Sequence, residues 1–186
     1  MDDVMITAVL QTLRHGNQLK RTARTGWGQQ GIPDAEDVAA HSFGVVFTAL
    51  VLAQVSDEPL DLGRTLAMAA LHDLPEALTS DIPSPAMRYL PSGIKVDMER
   101  AAMNEILANV PYQPDLMAIW EELHQGQTAE ARLVDDADKL DMFVQALMYE
   151  QQTGNQHLAK FWSHPHQFYT PQAQAIYDYL RAERKS

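Results

Sequence analysis

Leu71-His72-Asp73-Leu74-Pro75-Glu76-Ala77-Leu78-Thr79-Ser80-Asp81 gathers a histidine, three acids and a proline at the end of an apolar run. Leu66, Ala67, Ala69, Ala70 and Leu71 precede it at helical spacing, which marks a core helix over residues 62 to 74. An isolated charge is too costly to bury, so ionisable groups delivered by such a helix must be paired or bound to a metal. If the helix runs on through Glu76, that carboxylate lies on the same face as His72 and Asp73, four and three residues earlier. One turn then offers two ligands and a base.

Outward from this stretch, the chain reads as helices throughout. Residues 4 to 22 form a first helix with a cationic exit at Lys20, Arg21 and Arg24. Residues 25 to 33 hold three glycines and a proline, so they read as a loop carrying Trp27, with Asp34 or a neighbour capping the next helix. That helix, 35 to 55, is strongly apolar and has His41 inside it. Pro83, Pro85 and Pro91 enforce an irregular connection with space for a short turn at 87 to 90. Helical patterns return at 94 to 110, at 114 to 124 and most regularly at 128 to 153. In the last, Leu133, Ala137, Leu140, Val144 and Leu147 define a buried stripe with Asp138 and Asp141 beside it. A polar aromatic stretch (Phe161 to Tyr169) and a final helix over 171 to 182 follow. No alternating strand pattern and no internal repeat is present, so the expected class is all-α.

The bulk properties narrow the function. A chain of 186 residues fits one domain, 1–186, with a substantial core. A net charge of −11 argues against a sequence-independent grip on nucleic acid, which needs many Lys and Arg to neutralise phosphates. A small phosphate ester stays possible, because one cation and a few donors hold it locally. The absence of cysteine removes disulfides, thiolate nucleophiles and zinc-thiolate sites. The first residues lack a basic, then apolar, leader, and no 18-residue apolar run is evident, so a cytoplasmic protein without a membrane span is expected.

Taken singly, each candidate residue has an ordinary explanation. His41 is a core histidine; Asp135, Asp136, Asp138 and Asp141 are a solvated helix face; Glu76 is a surface acid and Asp81 a turn residue. Trp27 is a core aromatic, Arg21 and Arg24 are solvated cations, and His164 and His166 lie at the surface. Taken together, two imidazoles (His41, His72) and two carboxylates (Asp73, Asp138) form a plausible divalent metal site with positions left for water.

The order His41, His72-Asp73, Asp138 resembles the H...HD...D signature of the HD-domain metal-dependent phosphohydrolases. Further blocks resemble its 5'-deoxynucleotidase branch: Arg24-Thr25-Gly26-Trp27, Val38-Ala39-Ala40-His41-Ser42, His72 to Pro83, and Asp136-Ala137-Asp138-Lys139-Leu140-Asp141. The resemblance covers roughly residues 8 to 155 and leaves 156 to 186 as a helical tail. It implies a single-domain HD helical bundle, a homodimer, and hydrolysis of (deoxy)nucleoside 5'-monophosphates to nucleoside and phosphate. It implies His41, His72, Asp73 and Asp138 as ligands of one divalent ion, of the Mn, Co, Mg, Zn, Fe or Ni class. Glu76 then corresponds to the acid near the attacking water and the leaving group, Asp81 to a carboxylate on the deoxyribose, and Trp27 to a tryptophan near the sugar. The bacterial members place an arginine directly before that tryptophan, to meet the phosphate; here the position is Gly26. Arg24 is its expected substitute, with Arg21 or Lys20 in reserve.

Two rival readings remain open at this point. One is hydrolysis of another nucleotide, such as a nucleoside triphosphate or guanosine tetraphosphate, whose enzymes carry more basic surroundings than this acidic chain. The other is a non-catalytic nucleotide sensor or partner module, against which the intact ligand set and Glu76 speak. Dinuclear HD proteins need extra histidines between the His-Asp pair and the last aspartate, and only His124 lies in that interval.

Overall fold

Each of the longer helical periods in the sequence forms a helix, and no strand forms among residues 1–184, the part of the chain that the computed structural model describes. In chain order the helices are α1 (Asp3–Gln18), α2 (Thr25–Gly28), α3 (Val38–Val55), α4 (Leu62–Leu71), α5 (Glu76–Thr79) and α6 (Ser84–Met87), then α7 (Ile94–Ile106), α8 (Gln113–Gln125), α9 (Ala129–Thr153) and α10 (Pro171–Glu183). Two 3₁₀ turns, Leu19–Arg21 and Gln156–Trp162, join them, and a single antiparallel bridge links Ala23 to Asp37.

α3 is the centre of the bundle, packed against both α4 and α9, which also pack on each other. Its cap is Asp37 rather than Asp34, with the side chain accepting a hydrogen bond from Ala40 N at 2.8 Å. Val38, His41, Val45, Ala49 and Leu52 are buried at helical spacing, so His41 occupies a core position. The opposite face leaves Phe43, Phe47, Val51 and Val55 exposed, with Phe43 72% accessible. Apolar on both faces, α3 is 18 residues long with a mean hydropathy of 1.8, long and apolar enough to cross a membrane. This corrects the reading that no such run exists; in this fold one side of the run is core and carries a buried histidine.

α9 forms the second wall. Thr128 caps it by accepting from Ala131 N, and Gly154 ends it at a φ of 66°, where a side chain would be strained. The buried stripe runs through Leu133, Ala137, Leu140, Phe143 and Leu147, with Val144 exposed instead of buried. Phe143 turns inward because Trp162, Phe168 and Tyr177 of the C-terminal segment are there to receive it. A second cluster joins α1, α7 and α8 through Ala8, Met103, Ile106, Leu107 and Trp120, with Leu71 and Ala77 at its edge.

The helix expected over 62 to 74 stops at Leu71. Pro75 has no N–H to give the Leu71 carbonyl, and Leu74 N takes that carbonyl at 3.2 Å instead. His72 and Asp73 therefore sit on a turn, and Pro75 opens the separate turn α5, which starts at Glu76. The segment 25 to 28 is likewise a helical turn and not a loop. Its leading amide, Thr25 N, is satisfied from 56 residues away by Asp81 Oδ2 at 2.7 Å.

Asp136 is no part of a solvated face: it is 1% exposed. Its carboxylate accepts hydrogen bonds from Tyr169 N, Thr170 N and Thr170 Oγ1 at 2.8, 2.7 and 2.7 Å, pinning the start of α10 to α9. Asp136→Ala strands these donors, and the expected loss is on the order of 3 kcal/mol of unfolding free energy. Urea denaturation measures the loss, and limited proteolysis should show new cleavage near residues 165 to 170.

Candidate metal centre and substrate cavity

His41 comes from the core stripe of α3 and is 0% exposed. Its Nδ1 donates to Asp141 Oδ2 at 2.8 Å, which leaves Nε2 to face Asp73 and Asp138. His72, on the turn after α4, donates from Nδ1 to the Ala69 carbonyl at 2.7 Å, which commits its Nε2 in the same way. Both Nε2 atoms are buried and make no hydrogen bond. Around them stand Asp73 Oδ2, 3.7 Å from His41 Nε2 and 3.2 Å from His72 Nε2, and Asp138 Oδ1, 3.1 Å from His41 Nε2. Two buried imidazole Nε2 atoms facing two carboxylates form, once the imidazoles release their protons, a borderline-to-hard donor set. These residues fit a divalent ion, and a buried Nε2 left without a partner is otherwise unfavourable.

Burial alone would raise Asp73, but the neighbouring His72, with His41, holds it well below the ordinary carboxylate range. Asp138 is also held low, as Lys139 and His41 outweigh its burial. For His41 burial acts downward, yet Asp138 and Asp141 outweigh it and lift the imidazole to about 9. Glu76 is 3% exposed, and one of its carboxylate oxygens, Oε2, has no hydrogen-bond partner. Burial, with the charges of Asp73 and Asp81 added, pushes it up to about 8.

α3 and α9 come close at Gly44. A methyl group there would lie 2.1 Å from Asp141 Oδ1, so the missing side chain is the space the Asp141 carboxylate occupies. Asp141, one turn along α9 from Asp138, thereby orients His41 from behind. Glu36 stands beside the pair, its ligand oxygen within 4.8 Å of those of His41 and Asp141. It accepts from Trp27 Nε1 at 2.9 Å.

A cavity of about 180 Å³ opens onto these groups. Its wall holds the carboxylates Asp73, Glu76, Asp81 and Asp138, the cations Arg24, Lys95 and Lys139, and the apolar surfaces of Trp27, Ile82, Pro83, Met142 and Phe161. Arg24 Nη1 is 3.6 Å from Asp73 Oδ2. Trp27 is a buried wall residue, with its ring edge-on to Tyr149 at 5.4 Å and tilted on Phe161 at 4.8 Å. Ser80, at a φ of 61°, turns the chain back so that Asp81 Oδ2 reaches Thr25 N and Oγ1, while Asp81 Oδ1 carries no hydrogen bond. Arg21 is not brought to this wall: it is exposed and donates to Gln18 and Asn17 at the end of α1. A second cavity, of about 260 Å³, shares Asp73, Lys95 and Asp138 and adds His72, Glu99, His124 and Asp135.

Asp141 lies in the block Asp136-Ala137-Asp138-Lys139-Leu140-Asp141, three residues after Asp138, but its spacing alone does not separate it from its acidic neighbours. Lys95, Phe161 and Glu36 carry no local signal at all, because only the packing of α7, the second 3₁₀ turn and the 29–37 connection brings them here.

Comparison with known proteins identifies the family and the fold. The family model described as "HD domain" matches residues 16–177. The chain is 33% identical to the protein named 5'-deoxynucleotidase HDDC2 from Bos taurus over 144 residues, 76% of this chain and 68% of that one. For the protein of the same name from Danio rerio the identity is 31% over 180 residues, 95% and 88% of the two chains. The crystal structure of PH0347 protein from Pyrococcus horikoshii OT3 superposes with a TM-score of 0.75 at 32% identity, covering 97% of this chain and 99% of that one.

Gly44→Ala should favour the helix by about 1 kcal/mol while displacing Asp141 from His41. We expect helix content to be kept and Mn²⁺ affinity, measured by calorimetry, to fall by about 10- to 100-fold; Asp141→Asn should weaken binding in the same direction. A pH dependence follows as well. His41 and Glu76 both hold protons more tightly folded than unfolded, so the metal-free chain must lose stability as pH rises from about 6 to 9. Thermal melts in a chelator should show the midpoint falling over that range, with Mn²⁺ raising it more at pH 8.5 than at pH 6.

Proposed function

This chain belongs to the HD domain family, and from that membership we propose that it is a metal-dependent phosphomonoester hydrolase acting on (deoxy)nucleoside 5'-monophosphates. The observation that carries the reading is the pair of buried Nε2 atoms of His41 and His72 facing Asp73 and Asp138, two carboxylates that line a cavity together with Glu76 and Arg24. The relatives named 5'-deoxynucleotidase support the substrate class.

In this reading His41, His72, Asp73 and Asp138 hold a divalent ion. Such an ion, when bound, lowers the pKa of a coordinated water and offsets charge on a phosphoryl oxygen. The remaining work belongs to side chains. Arg24 binds phosphoryl oxygens through charge-assisted hydrogen bonds, drawn toward the centre by Asp73. Glu76, whose hold on a proton is raised in the metal-free chain by burial and by the charges of Asp73 and Asp81, is suited to give that proton to the leaving 5'-oxygen and to recover one from the water that next enters as nucleophile. Asp81 keeps Oδ2 on Thr25 and has Oδ1 free for a sugar hydroxyl. Trp27, Met142 and Phe161 provide apolar wall for the nucleoside. Arg21, turned back on the end of α1, drops out of the substrate-binding set. For a homodimer, the exposed α3 stripe of Phe43, Phe47 and Val51 offers a broader apolar face than the tail does.

A phosphate-release screen over nucleoside mono-, di- and triphosphates, with several divalent metals, tests the proposal. Turnover confined to triphosphates, or none with any nucleotide and metal, would overturn it. Glu76→Gln should bind Mn²⁺ with near-normal affinity and lose roughly 10²- to 10⁴-fold in kcat; near-normal hydrolysis in that variant would remove Glu76 from the acid/base role.

A further inference from the structure

The cavity has more positive charge than a single phosphate-binding arginine requires. Lys139 follows Asp138 on α9 and places Nζ 2.6 Å from Asp138 Oδ2. Lys95 lies in the first turn of α7, with Nζ 3.2 Å from Glu99 Oε1. Both line the same wall as Arg24, from elements far apart in the sequence. Their side chains stay 44% and 36% exposed, so the ammonium groups remain within reach of a solute in the cavity.

We propose that Lys139 and Lys95 join Arg24 in a three-cation cradle that holds the phosphoryl group of the substrate. The inference deepens the phosphomonoester reading and rests on it. Three observations carry the cradle. First, the chain's net charge of −11 repels a phosphate dianion, so binding needs a concentrated local patch of the opposite sign. Second, the charges on the wall are balanced: with Glu76 protonated, its three cations stand against the three ionised carboxylates of Asp73, Asp81 and Asp138. A divalent ion turns that balance into a surplus of positive charge, which favours entry of an anion. Were both lysines absent, the same wall would have no net positive charge even with the ion in place. Third, two of the three cations lean on the carboxylates assigned to the metal, Arg24 on Asp73 and Lys139 on Asp138. A carboxylate that shares its charge with a metal ion holds an ammonium or guanidinium less strongly. Metal loading therefore frees Arg24 and Lys139 to turn to the phosphoryl oxygens, and the cradle becomes competent when the centre does.

The test uses the full-length chain loaded with Mn²⁺, with inorganic phosphate as the probe in calorimetry and a nucleoside monophosphate in turnover assays. Lys139→Gln and Lys95→Gln should each weaken phosphate binding by about tenfold, with KM rising by about as much and kcat changing less. Lys139→Arg should recover most of the affinity, and Arg14→Ala, an exposed cation on α1, should bind phosphate as the wild type does. Inhibition by the uncharged nucleoside, which makes no use of the cradle, should be unchanged in every variant. Phosphate affinity within about twofold of wild type in both glutamine variants would overturn the cradle, as would a loss matched by an equal loss of Mn²⁺ affinity, which would leave Lys139 as a mere prop for Asp138. The two readings fail separately: a wild type that releases no phosphate from any nucleoside monophosphate sinks the nucleotidase assignment, while the phosphate titrations still decide the cradle.

Discussion

The contact between His41 and Asp141 is the constraint on which the rest of the site depends. An imidazole at 0% exposure in the first turn of the most apolar helix is unfavourable unless its polar atoms are used. Nδ1 is used by Asp141 at 2.8 Å, and this is possible only because α3 has no side chain at Gly44. The close approach of α3 and α9 at that notch also sets where Asp138 lies, since it is one turn from Asp141 on the same helix. A single glycine thus connects backbone packing to the orientation of an imidazole and the placement of a carboxylate.

The second constraint is the interrupted chain between Leu71 and Asp81. A continuous helix would have aligned His72, Asp73 and Glu76 on one face. The structure obtains a similar convergence through a break: Pro75 diverts the hydrogen-bond ladder, a new turn starts at Glu76, and Ser80 in a positive-φ conformation reverses the chain. Asp81 then caps the turn that carries Trp27, from 56 residues away. Strain at Ser80 of about 1–3 kcal/mol is tolerated because Asp81, Thr25 and the cavity wall over-determine the geometry.

Charge in this protein is arranged at two scales. Globally the chain is acidic, which disfavours polyanions and any phosphate held without help. Locally, Arg24, Lys95 and Lys139 converge on four carboxylates, and Glu76, deep among them, is pushed up to about 8. The same burial that makes Glu76 costly to ionise is what gives it a proton to transfer. Asp136, two residues from Asp138, shows how narrowly such roles divide: it faces the tail and makes hydrogen bonds instead of facing the cavity.

The helices themselves were readable from their apolar patterns, and on α4 and α9 the spacing also reports which face is buried, whereas α3 is apolar all round and its buried face was set by packing. The motif His41, His72-Asp73, Asp138 was readable too, because the residue types and their order suffice for it. Boundaries were less so: the end of α4 and the turn at 25–28 depend on which distant group satisfies a backbone amide. Tertiary structure alone decided that Arg21 turns away while Arg24 turns in, that Asp136 is buried, and that Phe143 replaces Val144 in the core. It alone brought Lys95, Glu36 and Phe161 to the site, as no local pattern encodes a contact made across the bundle. The physical reason is range: helix propensity and face are local properties of the chain, whereas a cavity wall is made of residues whose only common property is where the packed helices put them.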